Sequence, residues 1–150
     1  NSQCFFFCWG VSDGLLSDSV ATGNRRFGVN IGHRDTDNTI RNCSIHENAE
    51  AGLVFRQERR QFFSGDRNLV ERCTFRDNGA SEDGVGIDIR WLTRDTTIRD
   101  CRFENSPGRR GTGIRIGEDA GAVTLTGNTF ANCAPEVADN RKTAQPASPA

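Results

Sequence analysis

The sequence predicts an all-β solenoid in which short strands wind into about five stacked, parallel coils. Three observations predict it: a strand motif that recurs about every 24 to 30 residues, a second motif that follows each copy, and an Asn residue between the two. Apolar and polar residues alternate inside each motif, as in a strand with one buried face. Gly and Asn interrupt every segment, which excludes helical repeats.

The first motif is clearest at residues 39–45, and it recurs at residues 69–75 and 97–103 and in a degenerate form at 124–130. Its apolar positions predict two columns of inward side chains: Leu16, Ile40, Val70, Ile98 and Leu125 in one, and Ala21, Ile45, Phe75, Phe103 and Phe130 in the other. A further column holds Ser19, Cys43, Cys73, Cys101 and Asn128. Small side chains there are expected to fill a tight interior corner, since a linear row of thiols does not supply tetrahedral metal ligands.

The second motif begins with Gly at residues 28–31 and recurs at 52–55, 86–89 and 113–116. It predicts two more inward columns: Val29, Leu53, Ile87 and Ile114, and Ile31, Phe55, Ile89 and Ile116. The Asn residues between the motifs are expected to make turns: Asn24, Asn48, Asn78, Asn105 and Asn132. The connection from Phe55 to Val70 is longer than the others and carries an insertion, residues 57–68.

Length and charge bound the possibilities. The chain has 150 residues, a length typical of a single domain. Its net charge of −1 favours neither nucleic acid nor a membrane as partner. Asn1 opens the chain without Met, and the first segment reads as a buried strand. We therefore expect a solenoid truncated at its amino end, whose remaining coils are a natural partner. Residues 1–134 are predicted to form the solenoid, and residues 135–150 a polar Ala- and Pro-rich tail without strand patterning.

Outward positions of the second motif, and the residues just after it, concentrate groups that suit an acidic sugar polymer. Stacked strands lie about 4.8 Å apart, so these groups are expected to converge on one ligand: Asn30, His33, Arg34, Arg56, Asp88, Arg90, Trp91 and Arg115. Guanidinium groups match carboxylates, and an indole offers a flat apolar surface to a sugar ring. The alternative is a solvated sheet face whose charges form cross-strand pairs.

In a catalytic interpretation, Asp88 or His33 accepts a proton and Arg90 or Arg56 neutralises a substrate carboxylate. Substrate binding is then assigned to Asn30, Arg34, Arg56, Trp91 and Arg115. Hydrolysis is disfavoured, because it needs two carboxylates about 5–9.5 Å apart and Asp88 has only Glu118 or Asp35 in reserve. No metal ligand set is predicted. A Ca²⁺ ion bound by Asp13 and Asp37 is kept as a minor alternative.

The insertion starts at this face, where long solenoid loops often wall a groove. Three roles are open for Phe62 and Phe63: contact with ligand, contact with another part of the protein, or packing onto the loop around Trp91, which is favoured.

Residues 28–38 (GVNIGHRDTDN) and 7–11 (FCWGV) resemble right-handed parallel β-helix repeats of the pectate-lyase-like superfamily, in an uncharacterised bacterial branch related to polysaccharide lyases. The resemblance extends over about residues 4–133. It implies a secreted, extracellular or periplasmic protein that acts on acidic polysaccharide, foremost as a lyase, with C5-epimerase and hydrolase activity less favoured. The alternatives are a non-catalytic glycan-binding or structural scaffold or adhesin, and a function located in coils upstream of Asn1.

Overall fold

The computed structural model describes residues 1–60, 62–79 and 83–142. In these ranges sixteen strands form three parallel sheets, and the chain visits the sheets in rotation. Five successive coils therefore stack after an initial strand. The predicted all-β solenoid of about five coils is confirmed. In the same ranges no helix is long and apolar enough to cross a membrane.

The strands follow one another in chain order as β1 (Gln3–Phe6), β2 (Leu15–Ser17), β3 (Val20–Thr22), β4 (Phe27–Ile31), β5 (Thr39–Arg41), β6 (Ser44–His46), β7 (Ala51–Phe55), β8 (Leu69–Glu71), β9 (Thr74–Arg76), β10 (Val85–Ile89), β11 (Thr96–Arg99), β12 (Arg102–Glu104), β13 (Thr112–Ile116), β14 (Val123–Thr126), β15 (Thr129–Ala131) and β16 (Val137–Asp139). Sheet 1 contains β1, β4, β7, β10, β13 and β16. Sheet 2 contains β2, β5, β8, β11 and β14, and sheet 3 contains β3, β6, β9, β12 and β15.

Strand register confirms the predicted inward columns. Ile40 pairs with Leu16 on one side and with Val70 on the other, and Val70 pairs with Ile98. In sheet 3 the rings of Phe75 and Phe103 stack with centroids 5.0 Å apart. Most of these side chains are fully buried in one continuous core, and each contributes roughly 1.5–3 kcal/mol. The rod is thus stabilised by columns of like residues that run along its axis.

Asn side chains also connect the coils. The Asn48 Nδ2 group donates to the Ala21 carbonyl (3.0 Å) and to Asn78 Oδ1 (2.9 Å), and Asn48 Oδ1 accepts from Asn24 Nδ2 (2.8 Å). These residues do more than make turns, because their amides form a ladder along the axis. Beside it Gly52 permits close stacking, since an added Cβ would lie 2.7 Å from the Gly86 carbonyl oxygen.

The cysteine column lies in the interior, as predicted. Cys43, Cys73 and Cys101 are buried and free, and Cys73 Sγ donates to the carbonyl groups of Ile40 (3.7 Å) and Glu71 (3.3 Å). A hydrogen bond with Cys101, together with burial, raises the pKa of Cys73 to about 12. That thiol stays protonated at neutral pH and behaves as a small core group.

One expectation about the carboxyl end is wrong. Residues 135–150 were predicted to lack strand structure, but β16 lies among them and continues sheet 1. Its Val137 pairs with Ile114 and its Ala138 with Arg115. Backbone pairing with β13 makes this strand, although its own composition is weakly strand-like. Residues 143–150 of the predicted tail lie outside the described residues.

Candidate functional site

Five of the residues predicted to converge on one ligand lie in two separate places, a cleft and an ion-pair cluster. The first, here called the amino-terminal cleft, is a space of about 550 Å³ at the corner after β1, β4 and β7. It is lined by Trp9, His33, Arg34, Gln57, Glu58, Arg59, Arg60 and Phe63. The second, the Asp88 cluster, consists of Asp88, Arg90 and Arg115 on the outer face of sheet 1. The structure thus brings His33 and Arg34 together but not with Asp88.

Two stacked turns carry the aromatic wall of the cleft. Trp9 follows β1 and His33 follows β4, both in the left-handed backbone region, with φ of 71° and 48°. The indole is 76% exposed. The His33 ring lies between two others, with its centroid 4.4 Å from Trp9 and 4.9 Å from Phe63. Positive φ also occurs at turns elsewhere in the solenoid, for example at Asp13 and Trp91, so it is a feature of the coil geometry that this corner shares.

Positive charge surrounds the aromatic wall. The guanidinium carbons of Arg34 and Arg60 lie 4.9 Å and 5.4 Å from the centroid of the Phe63 ring, and the exposed Arg59 also lines the cleft. Cation–π contacts of this kind hold a guanidinium in place while leaving its N–H groups available. Phe63 belongs to the insertion, and packing onto the loop around Trp91 was predicted for it. Its ring instead contacts His33 and Arg34 and lines the cleft.

Glu58 is the acidic group of the cleft. Its Oε1 accepts a hydrogen bond from Arg56 Nε (2.6 Å), and its Oε2 lies 3.8 Å from His33 Nδ1. The cleft therefore contains one imidazole next to one carboxylate, beside three guanidinium groups. This is an excess of positive charge.

Arg56 and Asn30 were predicted to bind substrate, but their polar groups are occupied inside the protein. Arg56 Nη1 donates to the Phe7 carbonyl (3.1 Å) and to Asn30 Oδ1 (3.0 Å), while Asn30 Nδ2 donates to Gln3 Oε1 (2.8 Å). The Arg56 guanidinium also lies 4.7 Å from the centroid of the Phe6 ring. Their substrate roles stay predictions, and this geometry favours support of the cleft from behind.

The Asp88 cluster is a buried ion pair with two arginines. Asp88 Oδ2 accepts from Arg90 Nε and from Arg115 Nη2, both at 2.7 Å, and Oδ1 accepts from Arg115 Nε at 3.0 Å. The Asp88 side chain is only 3% exposed. A small apolar cluster, separate from the main core, includes Val54 and Phe27, and the Arg90 guanidinium lies 5.5 Å from the Phe27 ring centroid.

The electrostatics of Asp88 favour a structural role. Burial alone would raise the pKa of this carboxyl, but the Arg115 hydrogen bond and the charges of Arg90 and Arg115 outweigh it and hold the pKa below its ordinary value. A carboxylate stabilised in this way is a weak proton acceptor. The predicted roles of Asp88 and Arg90 in catalysis and of Arg115 in binding stay predictions.

Replacing Asp88 with Asn is expected to destabilise the fold by about 3 kcal/mol, because both arginines lose their charged partner. The loss is not larger because the side chains of Arg90 and Arg115 are 37% and 38% exposed, so water can solvate them. The folded pKa is depressed, so the stabilisation is present above the ordinary Asp pKa and is lost as the pH falls through the lower folded pKa. Urea unfolding at neutral and acid pH measures both effects.

The matched control is Asp37→Asn, which removes a carboxylate from an exposed pair with Arg67 (2.8 Å). It should cost much less stability than Asp88→Asn, because solvent screens an exposed ion pair. Equal effects of the two substitutions would contradict the buried ion pair.

Trp91, the predicted sugar platform, is partly buried. Its backbone has φ of 57°, and its buried indole N–H has no hydrogen-bond partner among the described residues. Glu118, held in reserve as a second carboxylate, is exposed and pairs with Lys142 at 3.0 Å. Neither lines the amino-terminal cleft. No group of three or more His, Cys, Asp or Glu side chains in the described ranges could hold a metal ion, so the Ca²⁺ alternative gains no support.

Four residues that line the cleft were not predicted as site residues: Trp9, Glu58, Arg59 and Arg60. Trp9 could have been found from the sequence, because it lies 24 residues before His33. The same spacing separates Phe5 from Val29 and Phe6 from Asn30, which pair in the structure. The three residues of the insertion left no comparable signal, because no other coil has an equivalent segment.

Comparison with known proteins agrees with the architecture. A family model described as a right handed beta helix region matches residues 1–143. No curated protein and no solved structure matches the chain. The match spans all five coils and both groups of candidate residues.

Proposed function

This chain belongs to the right-handed β-helix family, and from that premise we propose that it binds an acidic polysaccharide in the amino-terminal cleft. One observation carries the proposal: the exposed ring of Trp9 contacts His33, whose ring in turn contacts Phe63, in the same cleft as Arg34, Arg59 and Arg60. An aromatic wall beside several guanidinium groups suits a ligand that has both apolar ring faces and anionic substituents.

Each part of the cleft matches one part of such a ligand. The apolar face of a sugar ring packs on an indole, and the indole of Trp9 is largely open to solvent. Carboxylate or sulfate groups accept paired hydrogen bonds from a guanidinium. Because Arg34 and Arg60 already rest on the Phe63 ring, less side-chain entropy is lost when they bind.

The dimensions are also suitable. A volume of about 550 Å³ lies within the range of roughly 300–1,000 Å³ usual for ligand sites. The exposed positions of Trp9, Arg34 and Arg59 leave the cleft open to solvent. A segment of a long polymer could therefore lie across it without threading. Secretion to an extracellular or periplasmic location is part of this proposal.

A second candidate function is a uronate lyase, and the 3.8 Å approach of Glu58 to His33 favours it. In this scheme His33 removes the proton beside a uronate carboxylate, and Arg34 neutralises that carboxylate. The electron pair then forms a carbon–carbon double bond as the glycosidic C–O bond breaks, and the departing oxygen takes a proton from solvent water. A C5-epimerase would begin with the same proton removal and return a proton to the opposite face.

Binding to a polysaccharide panel tests the proposal. We expect polygalacturonate, alginate or a sulfated glycosaminoglycan to bind, neutral dextran not to bind, and the affinity to fall as salt screens the charges. Calorimetry measures binding, and ultraviolet absorbance measures any unsaturated product. Equal affinity for dextran, or no binding to any acidic polymer, would contradict the proposal. Binding without product, or product formation that survives His33→Ala, would remove the second candidate.

A further inference from the structure

We propose that Asp35 is a positioning residue of the amino-terminal cleft, whose buried carboxylate joins the turn carrying Trp9 to the turn carrying His33 and so sets the contact between the two rings. This inference rests on the proposed function, in which that pair binds the glycan. Asp35 does not line the cleft and contacts no ligand in this scheme. It acts through the two backbone turns.

The hydrogen bonds of Asp35 connect successive coils. Its side chain is 0% exposed. Oδ1 accepts from the backbone N–H groups of Gly10 (3.1 Å) and Val11 (2.9 Å), directly after Trp9. Oδ2 accepts from the N–H of Gly32 (3.1 Å), directly before His33. One carboxylate therefore fixes the residue after one ring and the residue before the other.

The next coil contacts Asp35 at both its carboxylate and its backbone carbonyl. Arg56 Nη2 lies 3.7 Å from Asp35 Oδ2, and Asn68 Nδ2 donates to the Asp35 carbonyl (2.8 Å). Among the described residues, Arg56 is the charged group that faces the carboxylate. Glu58 is bound to Arg56, and His33 approaches Glu58 from the cleft side. Burial raises the pKa of Asp35 above its ordinary value, while the three N–H groups and Arg56 favour the charged form.

Equivalent positions in other coils show that stacking does not need a carboxylate here. Backbone bonds between successive coils place Val11, Asp35, Gly65, Thr93 and Ala120 in corresponding positions. They run from Thr36 N to Val11 O, from Asp37 N to Asp66 O, from Arg67 N to Arg94 O and from Gly121 N to Thr93 O. Thr93 is also buried, but its hydroxyl donates to the backbone carbonyl of Arg90 within its own turn (2.9 Å). The charged link between coils thus belongs to the coil that carries the cleft.

The two turns joined by Asp35 share an uncommon backbone conformation. Trp9 and Gly10 are consecutive residues with positive φ, and so are His33 and Arg34. Positive φ recurs at other turns of the solenoid, including the one that carries Trp91, so what distinguishes these two turns is the buried carboxylate that bonds to both. The N–H groups bound by Asp35 lie in or beside these segments.

The test uses the full chain carrying Trp91→Phe, which leaves Trp9 as its single tryptophan because the protein has two. Asp35→Asn and Asp35→Thr are compared with Asp37→Asn, which removes a surface carboxylate two residues away. The Thr variant introduces the residue found in the equivalent turn of another coil. Measured quantities are Trp9 emission and acrylamide quenching without ligand, polygalacturonate affinity, and thermal unfolding.

We expect both Asp35 variants to change Trp9 emission and quenching and to weaken polygalacturonate binding about tenfold, in line with the loss of hydrogen bonds to a charged group. Asp37→Asn should change neither. When Trp9→Ala is combined with Asp35→Asn, the Asp35 substitution should have no further effect on affinity, which a merely structural role would not predict. Unchanged Trp9 emission in a folded Asp35→Thr protein would overturn the inference.

If neither Asp35 variant folds, a pH titration of the Trp91→Phe protein tests whether Asp35 positions Trp9. Trp9 emission should change as Asp35 is protonated, above pH 3.8, the ordinary pKa of Asp, also when Glu58 is replaced by Gln and His33, the titratable ring in contact with Trp9, by Phe. Constant emission down to that pH would overturn the inference. Failure of the proposed function looks different: Trp9→Ala would then leave polysaccharide binding unchanged while the Asp35 substitutions still altered Trp9 emission.

Discussion

Ile89→Asp is expected to leave the chain unfolded in water. Ile89 is fully buried in β10 and pairs with Phe55 in one neighbouring coil and Ile116 in the other. The substitution removes an apolar contact worth about 2–5 kcal/mol and introduces a carboxylate with no partner in this column. The sum approaches the 5–15 kcal/mol that typically stabilises a whole domain. Far-ultraviolet circular dichroism and urea unfolding measure the loss.

Two controls separate the buried charge from other effects. Ile89→Val removes one methylene group and should cost about 0.5–1.5 kcal/mol. Thr124→Asp places a carboxylate on the outer side of β14, beside the inward Leu125, and should change stability by about 0.5 kcal/mol or less. Ile45→Asp should repeat the unfolding in sheet 3. A soluble, cooperatively folding Ile89→Asp protein would contradict the inward facing assigned to β10.

The interior of the rod was predictable because two simple periods determine it. Alternation within a motif states which side chains face inward, and the distance between copies states which residues stack. Ile40, Val70 and Ile98 therefore appear in adjoining strands as expected. β16 was not predictable in this way. Its three residues, Val137–Asp139, carry no repeat of the motif, and the strand exists because β13 offers an unpaired edge.

The candidate site was only partly predictable. The repeat placed His33 and Arg34 after β4, at the corner where the cleft lies. Asp88 was predicted to lie with them, but it does not. The repeat period predicts the direction in which each Cβ points, and it does not predict which partner a long side chain reaches. The reason for choosing Asp88, an acid in a row of arginines, is also the reason that it forms an ion pair with Arg90 and Arg115. Asp35 was held in reserve as a catalytic acid, whereas its bonds connect backbone turns.

Trp9→Ala is expected to have the largest effect on polysaccharide binding. The indole is the most exposed part of the aromatic wall and offers an open ring face to a sugar. Removing a buried aromatic anchor from an interface commonly costs 2 kcal/mol or more, so affinity for an acidic polymer should fall by about 30-fold or more. Stability should change by about 0.5 kcal/mol or less, because the side chain is largely in solvent. Calorimetric titration measures the first quantity and urea unfolding the second.

Phe62→Ala supplies the matched control. Phe62 is 78% exposed, against 76% for Trp9, and lies next to Phe63 in the insertion, yet it does not line the cleft. If the binding energy came from exposed aromatic surface in general, both substitutions would weaken binding alike. If it comes from the corner formed by Trp9, His33 and Phe63, only Trp9→Ala weakens it. Arg60→Gln should reduce affinity less and should reduce its salt dependence, because that substitution removes a charge while leaving the ring platform intact.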